Sequence, residues 1–128
     1  MNFLLDSSFL IDLLNELASA QAGPACVWLR RHPRARLWVS AVSVAEVLEG
    51  AEDVDFVRQF LARFGWQGLH HAHATRAALL QRRAAQRMGE NDAWQAAVVL
   101  EMRGRLVGHD PRAFARLGRA YEDHRTAP

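Results

Sequence analysis

The chain has 128 residues, half of them hydrophobic, so we expect one domain with a full core. Its formal net charge is only +2, and all 16 of its basic residues are arginine. The absence of lysine excludes several α/β folds that pair an aspartate after the first strand with a lysine. These are receiver domains, haloacid-dehalogenase-type phosphatases and P-loop nucleotide hydrolases.

The composition also indicates a compartment. The only cysteine, Cys26, cannot form an internal disulfide, so nothing points to an oxidising environment. No apolar segment approaches the roughly 18 residues of a membrane helix, and the acidic start lacks the basic region of a secretory signal. We therefore expect a cytoplasmic protein without a membrane span.

The chain begins with a short strand that leads directly into a helix. Residues 3–5 are an apolar run that is too short for a helix, and Asp6 follows it at a helix N-cap position. From Ser8 the apolar residues take helical spacing. A second strand is predicted at 37–39. The sequence Ser43-x-x-Glu46 after it predicts a capping box, in which each side chain bonds the other residue's backbone amide at the start of a helix.

The rest of the chain continues the alternation of helices and strands. Helices are predicted at 53–64, 74–88 and from about Asp92 to Gly104, and strands at 66–70, 106–107 and 119–123. Asp110 before Pro111 predicts another helix start. Residues 124–128 are expected to be a loose tail of the single domain 1–128.

Three groups of basic residues have both a structural and a functional interpretation. The row Arg76, Arg82, Arg83 and Arg87 is more typical of a solvated helix face than of an RNA track. His70, His71 and His73 lack a cysteine partner and a regular ligand spacing, which favours a surface turn over a metal cluster. His109 is adjacent to Asp110, where a phosphate contact is the less favoured alternative.

Four acids stand where helices begin, and each is explained singly as a helix cap. They are Asp6, Glu46, Asp92 and Asp110. If the strands are parallel, these helix starts lie along one edge of the sheet, and their carboxylates repel one another. Helix N-termini offset only about 0.3 to 1 kcal/mol each. Since no lysine is present, a hard divalent cation is the best match to the all-oxygen cluster, and metal-assisted phosphodiester hydrolysis is the corresponding chemistry.

Four segments, in this order, resemble the successive motifs of PIN-domain ribonucleases, most closely the VapC-type toxins of bacterial toxin–antitoxin pairs. They are LLDSSFLI (4–11), SVAEVLEG (43–50), NDAWQAA (91–97) and LVGHDPRAF (106–114). The resemblance spans nearly the whole chain. It departs from the family at Gly108, where a threonine or serine is usual, so Asp110 is the acid with the weakest claim to be a ligand.

The resemblance implies a three-layer α/β/α sandwich around a five-stranded parallel sheet of order 3-2-1-4-5. It implies RNA as substrate, Mg²⁺ (or Mn²⁺ in its place) as cofactor, a homodimer, and a VapB-like antitoxin that blocks the site. Carried over by motif, Asp6, Glu46 and Asp92 are the principal catalytic and metal-binding acids, and Asp110 is the fourth. Ser7 or Ser8 would orient Asp6 or a water, and Ser43 would support Glu46 through the capping box.

Two other interpretations remain open from the sequence alone. One is a non-catalytic PIN-like module that binds RNA or a protein, which Gly108 and the capping roles of the acids favour. The other is a helical scaffold with capped helices and no site. The number of metal ions, the RNA that is cut and the identity of the antitoxin are also open.

Overall fold

The sheet is parallel throughout, and its central strand is the first one in the chain. The computed structural model describes residues 1–126, and within them five strands pair in the order β3-β2-β1-β4-β5. The strands are β1 Asn2–Leu5, β2 Arg36–Ser40, β3 Gly65–Gln67, β4 Arg105–Gly108 and β5 Tyr121–Asp123. Leu4 lies between Trp38 of β2 and Leu106 of β4. The predicted α/β fold and strand order are confirmed.

Helices cover both faces of this sheet, because successive residues of the central strand point to opposite sides. The helices are α1 Ser7–Ser19, α2 Pro24–Arg31, α3 Ala41–Glu49, α4 Val54–Leu61, α5 His71–Arg83, α6 Glu90–Glu101 and α7 Pro111–Phe114, the last followed by a 3-10 helical segment, Ala115–Ala120. Phe3 and Leu5 pack in a core with α1 to α4. Leu4 packs on the other face with α6 and α7, and α5 covers α6. None of the helices described between residues 1 and 126 is long and apolar enough to cross a membrane.

The capping box predicted at Ser43 and Glu46 is wrong. Strand β2 runs directly into α3 at Ser40, whose hydroxyl accepts the backbone N–H of Ser43 at 3.2 Å and caps the helix. Ser43 is therefore the third residue of α3, and its hydroxyl donates to the carbonyl of Leu5 at 3.2 Å. Glu46 lies three residues after Ser43 on α3 and has no role in capping the helix.

Helix α5 is also shorter than the predicted 74–88. It ends at Arg83 because the side chain of Gln81 captures the backbone of Met88: Oε1 accepts the Met88 N–H and Nε2 donates to the Met88 carbonyl, both at 2.9 Å. Residues 84–89 consequently form a folded-back loop in which Met88 is buried. Other predicted elements are present with ends shifted by a few residues, including β3, β5 and α4.

His124 and Arg125 are anchored where a loose tail was predicted. His124 is only 2% exposed, and its Nε2 donates to Asp12 Oδ2 at 2.7 Å. The Arg125 guanidinium donates to both oxygens of Asp12 at 2.9 Å. These contacts tie the segment after β5 to α1. Residues 127 and 128 of the predicted tail lie outside the described residues.

Candidate active site

The four predicted acids lie on the carboxyl side of the sheet, where the strands of a parallel α/β sheet place their ligands. Asp6 follows β1 directly, Glu46 lies on the helix after β2, and Asp110 follows β4 by two residues. Asp92 lies in the first turn of α6. The parallel topology thus brings together side chains that are up to 104 positions apart in the sequence.

Asp6 is the buried centre of this group. It is 6% exposed, and its two carboxylate oxygens accept hydrogen bonds from different sides: Ser8 Oγ donates to Oδ2 at 3.0 Å and Gln95 Nε2 donates to Oδ1 at 3.3 Å. Although Asp6 occupies the N-cap position of α1, its side chain forms no cap hydrogen bond. Burial, together with the nearby charge of Glu46, raises the pKa of Asp6 above its ordinary value.

Glu46 faces Asp6 from the neighbouring helix. Ser7 Oγ donates to Glu46 Oε1 at 3.3 Å, which connects the first turn of α1 to α3. The serines predicted as alternatives therefore have separate partners, because Ser7 contacts Glu46 and Ser8 contacts Asp6. Ser43 does not support Glu46, but it does lie next to the site through Gln95.

Asp92 interacts with Asp6 and with Asp110. Its pKa is raised by partial burial, then by the charges of Asp110 and Asp6, while the guanidinium of Arg116 acts in the opposite direction. Asp92 and Asp110 also line one open cleft of about 370 Å³. The charge of Asp92 therefore interacts unfavourably with the charges of both Asp110 and Asp6.

Asp110 has a structural role as well as a place in the cleft. Its Oδ1 accepts the backbone N–H of Ala113 at 3.2 Å and caps α7, and its own N–H donates to the Tyr121 hydroxyl at 3.0 Å. The predicted helix cap is thus present. One of its two carboxylate oxygens is occupied by this cap.

Gly108 is required by close packing. A Cβ atom at this position would lie 2.6 Å from Asp6 Cβ and 2.8 Å from Ser8 Oγ, both shorter than any normal contact. The Ser8 hydroxyl fills the space instead, where it accepts the backbone N–H of His109 at 2.8 Å and donates to Asp6. The hydroxyl missing from position 108 therefore has a counterpart on α1.

Gln95 is a site residue that was not predicted from the sequence. It is 1% exposed, and its Nε2 donates to Ser43 Oγ at 2.6 Å as well as to Asp6, while its Oε1 accepts from the Ser40 hydroxyl. Gln95 lies three residues after Asp92, on the same side of α6, in a run of buried alanines and valines. The signal available in the sequence was a single amide side chain within an apolar run, which indicates a buried polar residue with specific hydrogen-bond partners.

The histidines have structural partners. The His109 imidazole lies 3.0 Å from the Asp123 carboxylate at its Nδ1, so it packs toward β5. His70 caps α5, where its backbone N–H donates to His73 Nδ1 at 2.8 Å, and His73 is buried. The interpretation of His70, His71 and His73 as a surface turn is thus wrong for His73, because its ring packs inward to complete this cap.

Comparisons with known proteins identify the architecture. The model of the PIN domain family matches residues 3–120. The chain belongs to the PIN-domain family. No match is found among curated proteins.

Several solved PIN-like structures share this fold over nearly their whole length. A chain of a toxin–antitoxin complex from Klebsiella pneumoniae superposes with a TM-score of 0.78 at 22% identity, covering 94% of this chain and 96% of that one. A chain of VapBC2 from Rickettsia felis, bound to promoter DNA, gives 0.78 at 15% identity, with 96% and 98% covered. A chain of FitAcB from Neisseria gonorrhoeae gives 0.75 at 16% identity, with 98% and 99% covered. At these identities the likeness concerns the fold.

PIN domains are generally nucleases that use divalent metals. The donor set of this chain fits such an ion in type, because it is all oxygen and is centred on a carboxylate that is buried next to the charge of Glu46. Among residues 1–126, however, no three acidic, histidine or cysteine side chains converge on one point as ligands. The residues therefore fit a Mg²⁺-like ion that is held by one or two carboxylates and completes its shell with water and substrate oxygens.

Proposed function

We propose that the protein is a divalent-metal-dependent endoribonuclease that acts as the toxin of a type II toxin–antitoxin pair. The observation that carries the proposal is the buried Asp6 carboxylate, which interacts with the charges of Glu46 on α3 and Asp92 on α6, in a chain that has no lysine to neutralise them. Membership of the PIN family supports the nuclease part. The similarity to chains of toxin–antitoxin complexes supports the toxin part.

Each acid has a different role in this proposal. Asp6, with Glu46 or Asp92, would hold Mg²⁺ or Mn²⁺, and Asp110 would contribute its uncapped oxygen from the far side of the cleft. When bound, the ion would neutralise the carboxylates, polarise the phosphate oxygens and lower the pKa of the attacking water.

Neutral side chains keep the acids in place. Ser8 and Gln95 fix the plane of the Asp6 carboxylate, and Ser7 holds Glu46. None of these donors carries a charge, so they orient the acids without removing the negative potential that attracts the cation.

The test is cleavage of structured RNA by the antitoxin-free protein with Mg²⁺, with Mn²⁺ and with a chelator. We expect cleavage that requires the ion and falls by about 100-fold or more in Asp6→Asn. Asp55→Asn is the matched control, because Asp55 is an exposed aspartate on α4 whose side chain is 85% accessible. Cleavage that persists in chelator or in Asp6→Asn would refute the mechanism.

A second candidate function is a non-catalytic PIN-like module that binds RNA or a protein. The observation that favours it is the absence, among residues 1–126, of three convergent ligands for one ion. Calorimetric titration with Mn²⁺ separates the two candidates and gives the number of ions bound. A folded protein that takes up no Mn²⁺ at millimolar concentration supports the binding module and rejects the nuclease.

The toxin proposal includes partners and a location. The protein would form a homodimer and bind a VapB-like antitoxin, and it would act in the cytoplasm, where its RNA substrates are. Light scattering on the purified chain measures the dimer. Co-expression with a short reading frame found next to its gene tests whether the product of that frame binds the protein and whether the complex loses RNA cleavage. A monomeric chain contradicts the proposed homodimer. A product of the neighbouring gene that leaves RNA cleavage unchanged contradicts the proposed antitoxin.

A further inference from the structure

Three adjoining clefts form one groove that leads to the acids. The first, of about 370 Å³, contains Asp92 and Asp110 together with arginines from the loop after α5 and from the α7 region. The second, of about 600 Å³, shares Gln86, Arg112 and Arg116 with the first and extends to Arg83. The third, of about 480 Å³, shares Arg83 with the second and ends at Arg76, whose guanidinium pairs with Glu101 of the same cleft at 3.3 Å. We call this surface the arginine groove, lined by Arg76, Arg83, Gln86, Arg87, Arg112 and Arg116.

Most of the positive charge in the arginine groove is available to a ligand. Arg83, Arg112 and Arg116 are exposed and form no ion pair with an acid in the described part of the chain. Arg87 meets Glu90 only at 3.5 Å, in a pair in which both side chains are more than two-thirds exposed. Such surface pairs contribute little energy and are easily exchanged for a stronger anion.

The local structure explains why these arginines share a surface. Arg76 and Arg83 are seven residues apart on α5, which places them on one face about 10 Å from each other. Gln81 folds the loop 84–89 back beside them, so that Arg87 reaches the acidic cleft. Arg112 and Arg116 approach from the opposite wall. The groove is therefore preformed by packed elements.

Arg116 is where the arginine groove meets the acids, since its charge acts directly on Asp92. A polyanion that lies along the groove would place one of its phosphodiesters in the acidic cleft. Guanidinium groups suit this role because they contact phosphate oxygens in pairs, and contacts to phosphate carry no base-sequence information.

We propose that the arginine groove is the track along which the backbone of single-stranded RNA enters the acidic cleft, with Arg83, Arg112 and Arg116 contacting phosphates. The proposal rests on the proposed nuclease function and adds the path of its substrate. It replaces the interpretation of a solvated face for Arg76, Arg83 and Arg87, and leaves that interpretation in place for Arg82, which does not line the three clefts.

The test compares two triple-site designs on the full chain. The groove variant carries Arg83→Ser, Arg112→Ser and Arg116→Ser, and the control variant carries Arg34→Ser, Arg82→Ser and Arg119→Ser, three exposed arginines outside the arginine groove. Both lose the same charge. The probe is a fluorescein-labelled single-stranded RNA of mixed sequence, titrated in chelator so that it is not cleaved, with anisotropy measured at several salt concentrations.

We expect the groove variant to bind this RNA about 100-fold more weakly than wild type at low salt. The slope of log affinity against log salt should decrease by about 2, because each lost phosphate contact removes about 0.7. The control variant should keep the wild-type slope and affinity. Replacing the same three groove arginines by lysine should restore most of the slope, since the charge returns. Circular dichroism melting should show all variants folded, because every change is on the surface.

Other outcomes overturn the RNA track. One is an equal loss of affinity in the groove and control variants, and another is no binding of the RNA by the wild-type protein. A third is a polyglutamate peptide that competes as well as RNA of equal charge, which would assign the groove to an acidic protein segment.

Cleavage with Mn²⁺ is measured in parallel. If the wild-type protein cleaves RNA and the groove variant binds and cleaves it equally well, only the track is rejected. If RNA binding depends on the groove arginines but neither protein cleaves RNA, the nuclease is rejected and the track remains as a binding surface. If both hold, the groove variant should raise KM with little change in kcat.

Discussion

Asp6 is held between two neutral donors that approach its two oxygens from different elements. Ser8 belongs to the same helix start, but Gln95 comes from α6, 89 positions later in the sequence. The orientation of Gln95 is in turn fixed by the hydroxyls of Ser40 and Ser43. This buried network makes Gln95 a positioning residue, which would act on a bound ion through the Asp6 carboxylate.

Replacing Gln95 should therefore affect cation binding beyond its effect on stability. Gln95→Leu should destabilise the protein by about 1 to 3 kcal/mol, because Ser40, Ser43 and Asp6 lose a buried partner. It should also weaken Mn²⁺ binding by about 10-fold to 100-fold. Calorimetry and urea unfolding measure the two effects.

Val99→Ala is the control for this prediction. Val99 is fully buried on the same helix, so its truncation lowers stability without touching the Asp6 network. If both variants bind Mn²⁺ equally, Gln95 has only a packing role.

The raised pKa of Asp6 predicts a pH-dependent effect in the metal-free protein. An acid whose pKa is higher in the folded than in the unfolded state destabilises the fold while it is ionised, and this penalty disappears as the pH falls through the folded pKa. Asp6→Asn should therefore stabilise the protein in chelator near neutral pH, and the gain should vanish below the ordinary value of 3.8. Urea midpoints across this range measure it. An Asp6→Asn gain that is constant with pH would contradict the assignment.

At the scale of elements, the sequence predicts the strands and most of the helices because their apolar periods are regular. It does not predict the exact helix starts on which the site depends. Ser40 and Ser43 are both good caps, and only the length of β2, set by pairing with β1 and β3, decides that Ser40 is used. The end of α5 likewise depends on Gln81, which bonds the backbone of Met88 seven residues later. The anchoring of His124 depends on Asp12, which is 112 positions away. Contacts made by single side chains in this way have no periodic sequence pattern.

The end of β4 packs closely against Asp6 and the start of α1, and the absence of a side chain at Gly108 makes this packing possible. Gly108→Ala should destabilise the protein by about 1 to 3 kcal/mol and lower any cleavage activity, because the added methyl group displaces Asp6 and Ser8. Gly50→Ala is the matched control: a Cβ there meets nothing within 4 Å. Thermal melting measures both variants. Equal, small decreases in Tm for the two variants would mean that the end of β4 can shift to accommodate a methyl group at position 108.

For the whole molecule, the parallel sheet order explains why the four acids lie on the carboxyl side of the sheet, and this placement was predictable once the strands were taken as parallel. A bound ion should therefore stabilise the entire fold. At Mn²⁺ concentrations about 100 times its Kd, the gain is about 2.7 kcal/mol, or roughly 10 °C in Tm for a chain of this size. Differential scanning fluorimetry measures this shift. Asp6→Asn should abolish it, and a shift that survives in this variant would place the ion elsewhere.

The topology also sets the order in which the site comes into existence during synthesis. The central strand is made first, but its partner β4 and the last acid, Asp110, are made near the end of the chain. A nascent chain on the ribosome therefore has no complete acidic cleft until β4 and Asp110 have emerged. If the protein cuts RNA as proposed, its messenger and the translating ribosome would not be exposed to a complete site before that segment has been made.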